Sequence, residues 1–141
     1  MTTWLALDFG ERRIGVAAGS DESRLARPVA VLVRRNRRED FAAIGRLAVA
    51  VGAERILVGL PYHMDGSEGP QARRVRRFAR ELERRLGLPV VLWDERLSSF
   101  AAEQIAAEIG RRRRYHDDIA AAMILESFFA AALERANMLT R

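Results

Sequence analysis

The sequence predicts an α/β fold: three antiparallel strands, then αβ units, joined in one five-stranded mixed sheet with helices on both faces. Three observations carry this expectation. The opening third holds short apolar runs with short links between them, the rhythm of an antiparallel meander. From Asp40 onward, apolar residues at helical spacing alternate with short buried runs, as when helices cross between strands of one sheet. The length, 141 residues, suits one domain covering 1–141 and leaves no room for two.

Taken in order, Thr3 to Phe9 reads as a mostly buried strand, Gly10 to Arg13 as a turn, and Ile14 to Gly19 as a second strand of small apolar residues. Pro28 opens a third strand, Val29 to Val33. Asp40 to Val51 carries Phe41, Ile44, Leu47, Ala48 and Val51 on one helical face. Ile56 to Val58 is a short buried strand, ended by Gly59 and Pro61. A glycine-rich loop then leads to Pro70, which suits the first position of a helix running to Leu86. That helix sets Val75, Phe78, Ala79, Leu82 and Leu86 on one side, and Gly87 and Pro89 stop it. Val90 to Trp93 is the fifth strand. Ser98 or Ser99 caps a helix to about Ile109, and a last apolar helix starts near Asp117. Trp4 and Trp93 lie in strands and are expected in the core. A Rossmann domain fits poorly, because Gly10 and Gly15 lie between two strands and lack its fingerprint spacing. The loop of residues 59–70 lacks the Gly-Lys-Ser/Thr ending of a Walker A motif.

Composition narrows the function classes. Cysteine is absent, which removes disulfide scaffolds, thiolate metal sites and cysteine nucleophiles together. No apolar run reaches the length of about 20 residues that spans a bilayer, and the first residues carry no basic n-region. A soluble, cytoplasmic protein without membrane contact is expected. All 24 basic residues are Arg, against 19 acids, for a net charge of +5. A coding bias accounts for the choice of Arg over Lys. The excess charge still suits an anionic partner, and nucleic acid leads that list.

The acids then become informative. Asp8 sits inside an apolar strand, where a carboxylate costs several kcal/mol unless it is paired or binds a cation. An ion pair with one of the many arginines would satisfy it. Asp94-Glu95 stands at the carboxyl end of the fifth strand, where open α/β sheets place ligands. Asp117-Asp118 opens the last helix, and two adjacent acids exceed what a cap needs. Acids from three elements in a basic protein suit a divalent cation held by carboxylates and phosphate, or two such ions flanking an in-line displacement.

Leu7-Asp8-Phe9-Gly10-Glu11-Arg12-Arg13-Ile14-Gly15-Val16-Ala17 closely resembles the opening motif of the YqgF family, also called RuvX. Val58-Gly59-Leu60-Pro61, Met64-Asp65-Gly66-Ser67, Trp93-Asp94-Glu95-Arg96-Leu97-Ser98-Ser99 and Asp117-Asp118-Ile119-Ala120-Ala121 resemble its later motifs, in the expected order. The resemblance implies an RNase H-like (RuvC-type) nuclease. It also implies that Asp8, Glu95 and Asp117 are catalytic and bind Mg²⁺ or Mn²⁺, with two ions expected. Asp118, where the family often has Ser, is the alternative to Asp117. Arg12 stands where the family usually has Lys, Ser99 where it often has Thr, and Tyr62-His63 replaces smaller or amide residues. His116 stands in place of an aliphatic residue, and reads as a surface histidine or a proton shuttle.

The arginines supply candidate phosphate contacts. Arg73, Arg77, Arg80 and Arg84 fall near one face of the helix from Pro70, which carries seven Arg against two Glu. They form either a phosphate track or a solvated face. Arg111, Arg112, Arg113 and Arg114 lead directly into Asp117. Arg12, Arg13 and Arg96 lie inside the motifs, for substrate contact or buried pairing. Arg34-Arg35 and Arg37-Arg38 read as a distant patch or as solvated.

The leading expectation is a metal-dependent endonuclease acting on the 5′ leader of precursor 16S rRNA, in ribosome maturation. The resemblance also supports the alternative, a resolvase of four-way DNA junctions. Monomer and homodimer both stay open, and a resolvase would favour the dimer. A nucleotide phosphotransferase of the actin-like kind would need a second lobe. A non-catalytic nucleic-acid-binding module would bind without cutting.

Overall fold

The computed structural model of the protein describes residues 1–63, 65–95 and 117–139. Its strands are β1 (Thr3–Phe9), β2 (Arg13–Ser20), β3 (Ala26–Val33), β4 (Arg55–Leu60) and β5 (Val90–Asp94). Its helices are α1 (Arg37–Val51), α2 (Pro70–Leu86) and α3 (Asp117–Leu139). The strands form one sheet in the order β3-β2-β1-β4-β5. β1/β2 and β2/β3 pair antiparallel, whereas β1/β4 and β4/β5 pair parallel. This is the mixed five-stranded sheet that the sequence led us to expect. The expected helix from Ser98 or Ser99 to Ile109 and the link Arg111 to Arg114 lie outside the described residues.

The starts of β3 and α1 each fall three residues earlier than the sequence reading, for a local reason. Pro28 lies inside β3 rather than opening it, paired with Ala17 beside a register irregularity at Val16/Ala17. β3 is an edge strand, where a missing N–H removes little from the ladder. Helix α1 starts three residues before Asp40. Its cap is Asn36, whose Oδ1 accepts from the Glu39 amide at 2.9 Å while its Nδ2 donates to Glu39 Oε2 at 2.8 Å. This reciprocal closure satisfies a helix-start donor that would otherwise be orphaned. Pro70 begins α2, and Gly87, at φ 69°, ends it, as expected.

Alternation along β1 divides the core into two layers. Leu5, Leu7 and Phe9 pack with α1 and α2 residues including Phe41, Ile44, Val75, Phe78 and Leu82. Trp4 and Ala6 face the other way, onto Ala121, Ile124, Leu125 and Phe129 of α3. Phe78 stacks between Phe9 and Phe41, with centroids 4.3 and 5.0 Å away. Trp4 is buried, and Trp93 is partly buried with its Nε1 donating to Ser127 Oγ at 3.2 Å. Asp8 shares the parity of Trp4 and Ala6, so its carboxylate belongs to the α3 side of the sheet.

A candidate active site at the ends of the parallel strands

Three parallel strands, β1, β4 and β5, end at the same edge of the sheet, with Leu7 level with Val58 and Leu60 level with Asp94. Asp8 is the penultimate residue of β1, and Glu95 directly follows β5. Their strands are not neighbours, because β4 runs between them. Adjacent strands lie about 4.8 Å apart, so a side chain joining the two must cross a full strand. Glu95 does so. Its carboxyl shares a hydrogen bond with Asp8, on the far side of β4.

The crossing passes over Gly59. A Cβ on that residue would stand 2.6 Å from Glu95 Oε1, 2.9 Å from its Cγ and 2.7 Å from Ile124 Cδ1. Ordinary carbon contacts lie at about 3.5–4.0 Å, so no side chain fits there as the residues stand. The sequence reading ended the strand before Gly59. The strand instead continues through Leu60. The signal was available: a lone glycine within the apolar run Ile56-Leu57-Val58-Gly59-Leu60 marks a close approach.

This proximity changes the acidity of the pair. Burial first, then the Asp8 charge and the hydrogen bond with it, and finally Asp94, push the Glu95 carboxyl up to about 7. Half-buried carboxylates side by side disfavour joint ionisation. Oxygen donors arranged in this way suit a hard divalent cation, whose charge would replace the shared proton.

The third acidic motif opens α3, whose first residues are Asp117 and Asp118. Asp118 is buried, at 4% exposure. Among the described residues there is no group of three or more His, Asp or Glu disposed to hold a metal. The side chain of Asp117 lies outside them, as do Arg96 and Arg111, Arg112, Arg113 and Arg114.

The remaining candidates divide between the two sides. Arg12 and Arg13 lie at the β1–β2 turn, just beyond Asp8, and Arg12 is exposed. Gly10 permits that turn, since a Cβ there would stand 2.8 Å from the Arg13 carbonyl oxygen. Arg73, Arg77, Arg80 and Arg84 belong to α2, across the sheet from the Asp8 face. Arg77, Arg80 and Arg84 line an open cleft of about 700 Å³ with Arg37, Glu81 and Glu83. Glu81 is engaged by Arg37 and Arg85, and Glu83 accepts from the Val90 amide at 3.0 Å. The Arg85–Glu81 pair is an i,i+4 contact along α2, of the kind that a solvated helix face carries. No helix among the described residues is long and apolar enough to cross a membrane.

A sheet of this order, with acids gathered at the carboxyl ends of its parallel strands, defines an RNase H-like domain. RuvC of Thermus thermophilus, solved in complex with a Holliday junction substrate, superposes with a TM-score of 0.63 at 15% identity, covering 94% of this chain and 96% of that one. The fowlpox virus Holliday junction resolvase gives 0.55 at 12% identity, over 94% and 99%. The chain belongs to the RuvX family, whose model, described as Holliday junction resolvase, matches residues 2–131. A protein of Anaeromyxobacter dehalogenans is 47% identical over 128 residues, covering 88% of this chain and 93% of that protein. One from Syntrophus aciditrophicus is 40% identical over 131 residues, covering 90% and 87%. Both carry the name "Putative pre-16S rRNA nuclease".

Proposed function

We propose that the protein is a divalent-metal-dependent endonuclease that hydrolyses nucleic-acid phosphodiesters in the 5′-end processing of precursor 16S rRNA. The observation that carries this reading is the Asp8–Glu95 pair, brought together across Gly59 at the end of the parallel strands. The pre-16S relatives, which align over most of the chain, support the choice of substrate.

Asp8 and Glu95, with Asp117 from the start of α3, would hold Mg²⁺ or Mn²⁺, two ions in the full site. Asp118 is the alternative third ligand. The bound ions would lower the pKa of an attacking water and neutralise charge on the scissile phosphate. Asp8 fixes the β1 side of the site, and Glu95 closes it from β5. Arg12, on the turn that follows β1, and Arg13, the first residue of β2, would engage the phosphate backbone, with Arg96 and Arg111, Arg112, Arg113 and Arg114 as further contacts. Arg73, Arg77, Arg80 and Arg84, across the sheet, would meet flanking nucleic acid rather than the cleavage point.

The family description favours a second substrate, the four-way DNA junction. A cleavage panel separates the two: a precursor rRNA leader, a four-way junction, duplex DNA and single strands, each with Mg²⁺ or Mn²⁺. Wild type is compared with Asp8→Asn. Asp8-dependent cutting of the leader alone supports rRNA processing, and paired nicks in the junction alone support the resolvase, which a dimer would perform more naturally than a monomer. Tight, salt-sensitive binding that Asp8→Asn leaves intact, with no cutting by wild type, would replace the enzyme with a binding module.

A further inference from the structure

The turn that follows Asp8 is held from outside by one residue the sequence reading left in a distant patch. Arg34, directly after β3, donates from Nη1 to the carbonyl oxygens of Gly10 and Glu11, both at 2.9 Å. Its backbone amide donates to the Arg12 carbonyl, also at 2.9 Å. Its guanidinium carbon lies 4.2 Å from the centroid of the Phe9 ring. Three consecutive turn carbonyls thus accept from a single residue, and the same residue covers the aromatic ring that precedes them.

The turn needs such support. Gly10 contributes no side chain to anchor it, and Glu11 and Arg12 are exposed. Within the hairpin itself, the Gly10 amide donates to Arg13 at 2.9 Å. Only a planar group with several donors can bridge two carbonyls and stack on a ring together. A lysine ammonium could donate to both carbonyls from one nitrogen, as Nη1 does, but it has no flat face to lay against the Phe9 ring at the same time.

We infer that Arg34 is a positioning residue: by clamping the β1–β2 turn it fixes the Arg12 guanidinium relative to Asp8 for engagement of the scissile phosphate. This rests on the nuclease reading above. Arg34 acts through the turn and does not itself touch substrate.

Two measurements test it. Amide exchange over residues 9–13 reads the clamp without substrate, and both Arg34→Lys and Arg34→Ala should lose about tenfold protection there. Wild-type protection in Arg34→Ala would overturn the clamp. Cleavage kinetics, taken well below the melting temperature of every variant, read the consequence. Arg12→Ala and Arg34→Lys should each lower kcat/KM by about tenfold, and the double variant should be no worse than Arg12→Ala alone. Losses that multiply would mean that Arg34 acts independently of Arg12, and wild-type kinetics in Arg34→Lys would mean that its charge alone suffices. Either overturns the inference. Asp8→Asn is run alongside: failure of the wild type to cut in an Asp8-dependent way removes the nuclease reading, while the exchange result still decides the clamp.

Discussion

Gly59→Ala is the smallest change that reaches the centre of the acid pair. The added methyl would stand 2.6 Å from Glu95 Oε1 and 2.7 Å from Ile124 Cδ1. Relief requires shifts of about 1 Å against normal contact distances. Ile124 is buried in the α3 layer and cannot swing into solvent. Overpacking of this kind costs about 1–3 kcal/mol, which for a domain of this size lowers Tm by about 3–10 °C. Glu95 has more freedom, and its easiest escape is away from Asp8, a displacement that can cost about 100-fold in cleavage. Circular-dichroism melts and Asp8-dependent cleavage measure the two effects separately. Gly45→Ala on α1 is the control, since its methyl would meet only the end of Leu86 at 3.0 Å and alanine favours the helix. A Gly59→Ala protein that melts and cuts like wild type would refute the claim that this strand position must stay bare for Glu95 to cross.

Other expectations follow from the same geometry. In chelator, the weakened acidity of Glu95 means that the folded chain holds a proton the unfolded chain has lost between its ordinary value of 4.5 and about 7. Its contribution to stability is complete below that window and is lost as pH rises through it, so Glu95→Gln should flatten the pH profile. The variant should also gain about 1–3 kcal/mol at pH 8, and parallel profiles would count against the assignment. Millimolar Mg²⁺ or Mn²⁺ should raise the Tm of wild type but not of Asp8→Asn, in a melt that needs no substrate. Phe78→Ala, removing the ring between Phe9 and Phe41, should cost about 3–5 kcal/mol in denaturant titration. Glu81→Gln, which breaks surface pairs with Arg37 and Arg85, should cost under about 1 kcal/mol.

Much of the fold was legible in the chain because its signals are local. Pro70 and Gly87 bracket α2, and the spacing of Val75, Phe78, Ala79 and Leu82 states which side it buries. The start of β3 was not legible, since a proline inside a strand is tolerated only at an edge, and edge position is a property of the whole sheet. Asn36 was overlooked because its cap lies outside the apolar repeat used to place α1. At the site, Asp8 stood out as an acid in an apolar strand. Its partnership with Glu95 could not be read from periodicity, since it depends on which strand lies between them. Arg34 escaped for the opposite reason: in a chain this rich in arginine, one that serves the backbone looks like any other.

The strand order has a consequence for how the protein comes into being. Asp8 and Glu95 are separated by more than half the chain, and they meet only once both β4 and β5 are in place beside β1. The β1–β2–β3 meander, a local structure able to form as soon as it is synthesised, contains Asp8 but lacks its partner Glu95. The acid pair is thus a late product of the most non-local pairings in the sheet. A nascent, truncated or half-folded chain carries basic surface without the assembled carboxylates, so any capacity to cut arises only in molecules whose sheet is complete.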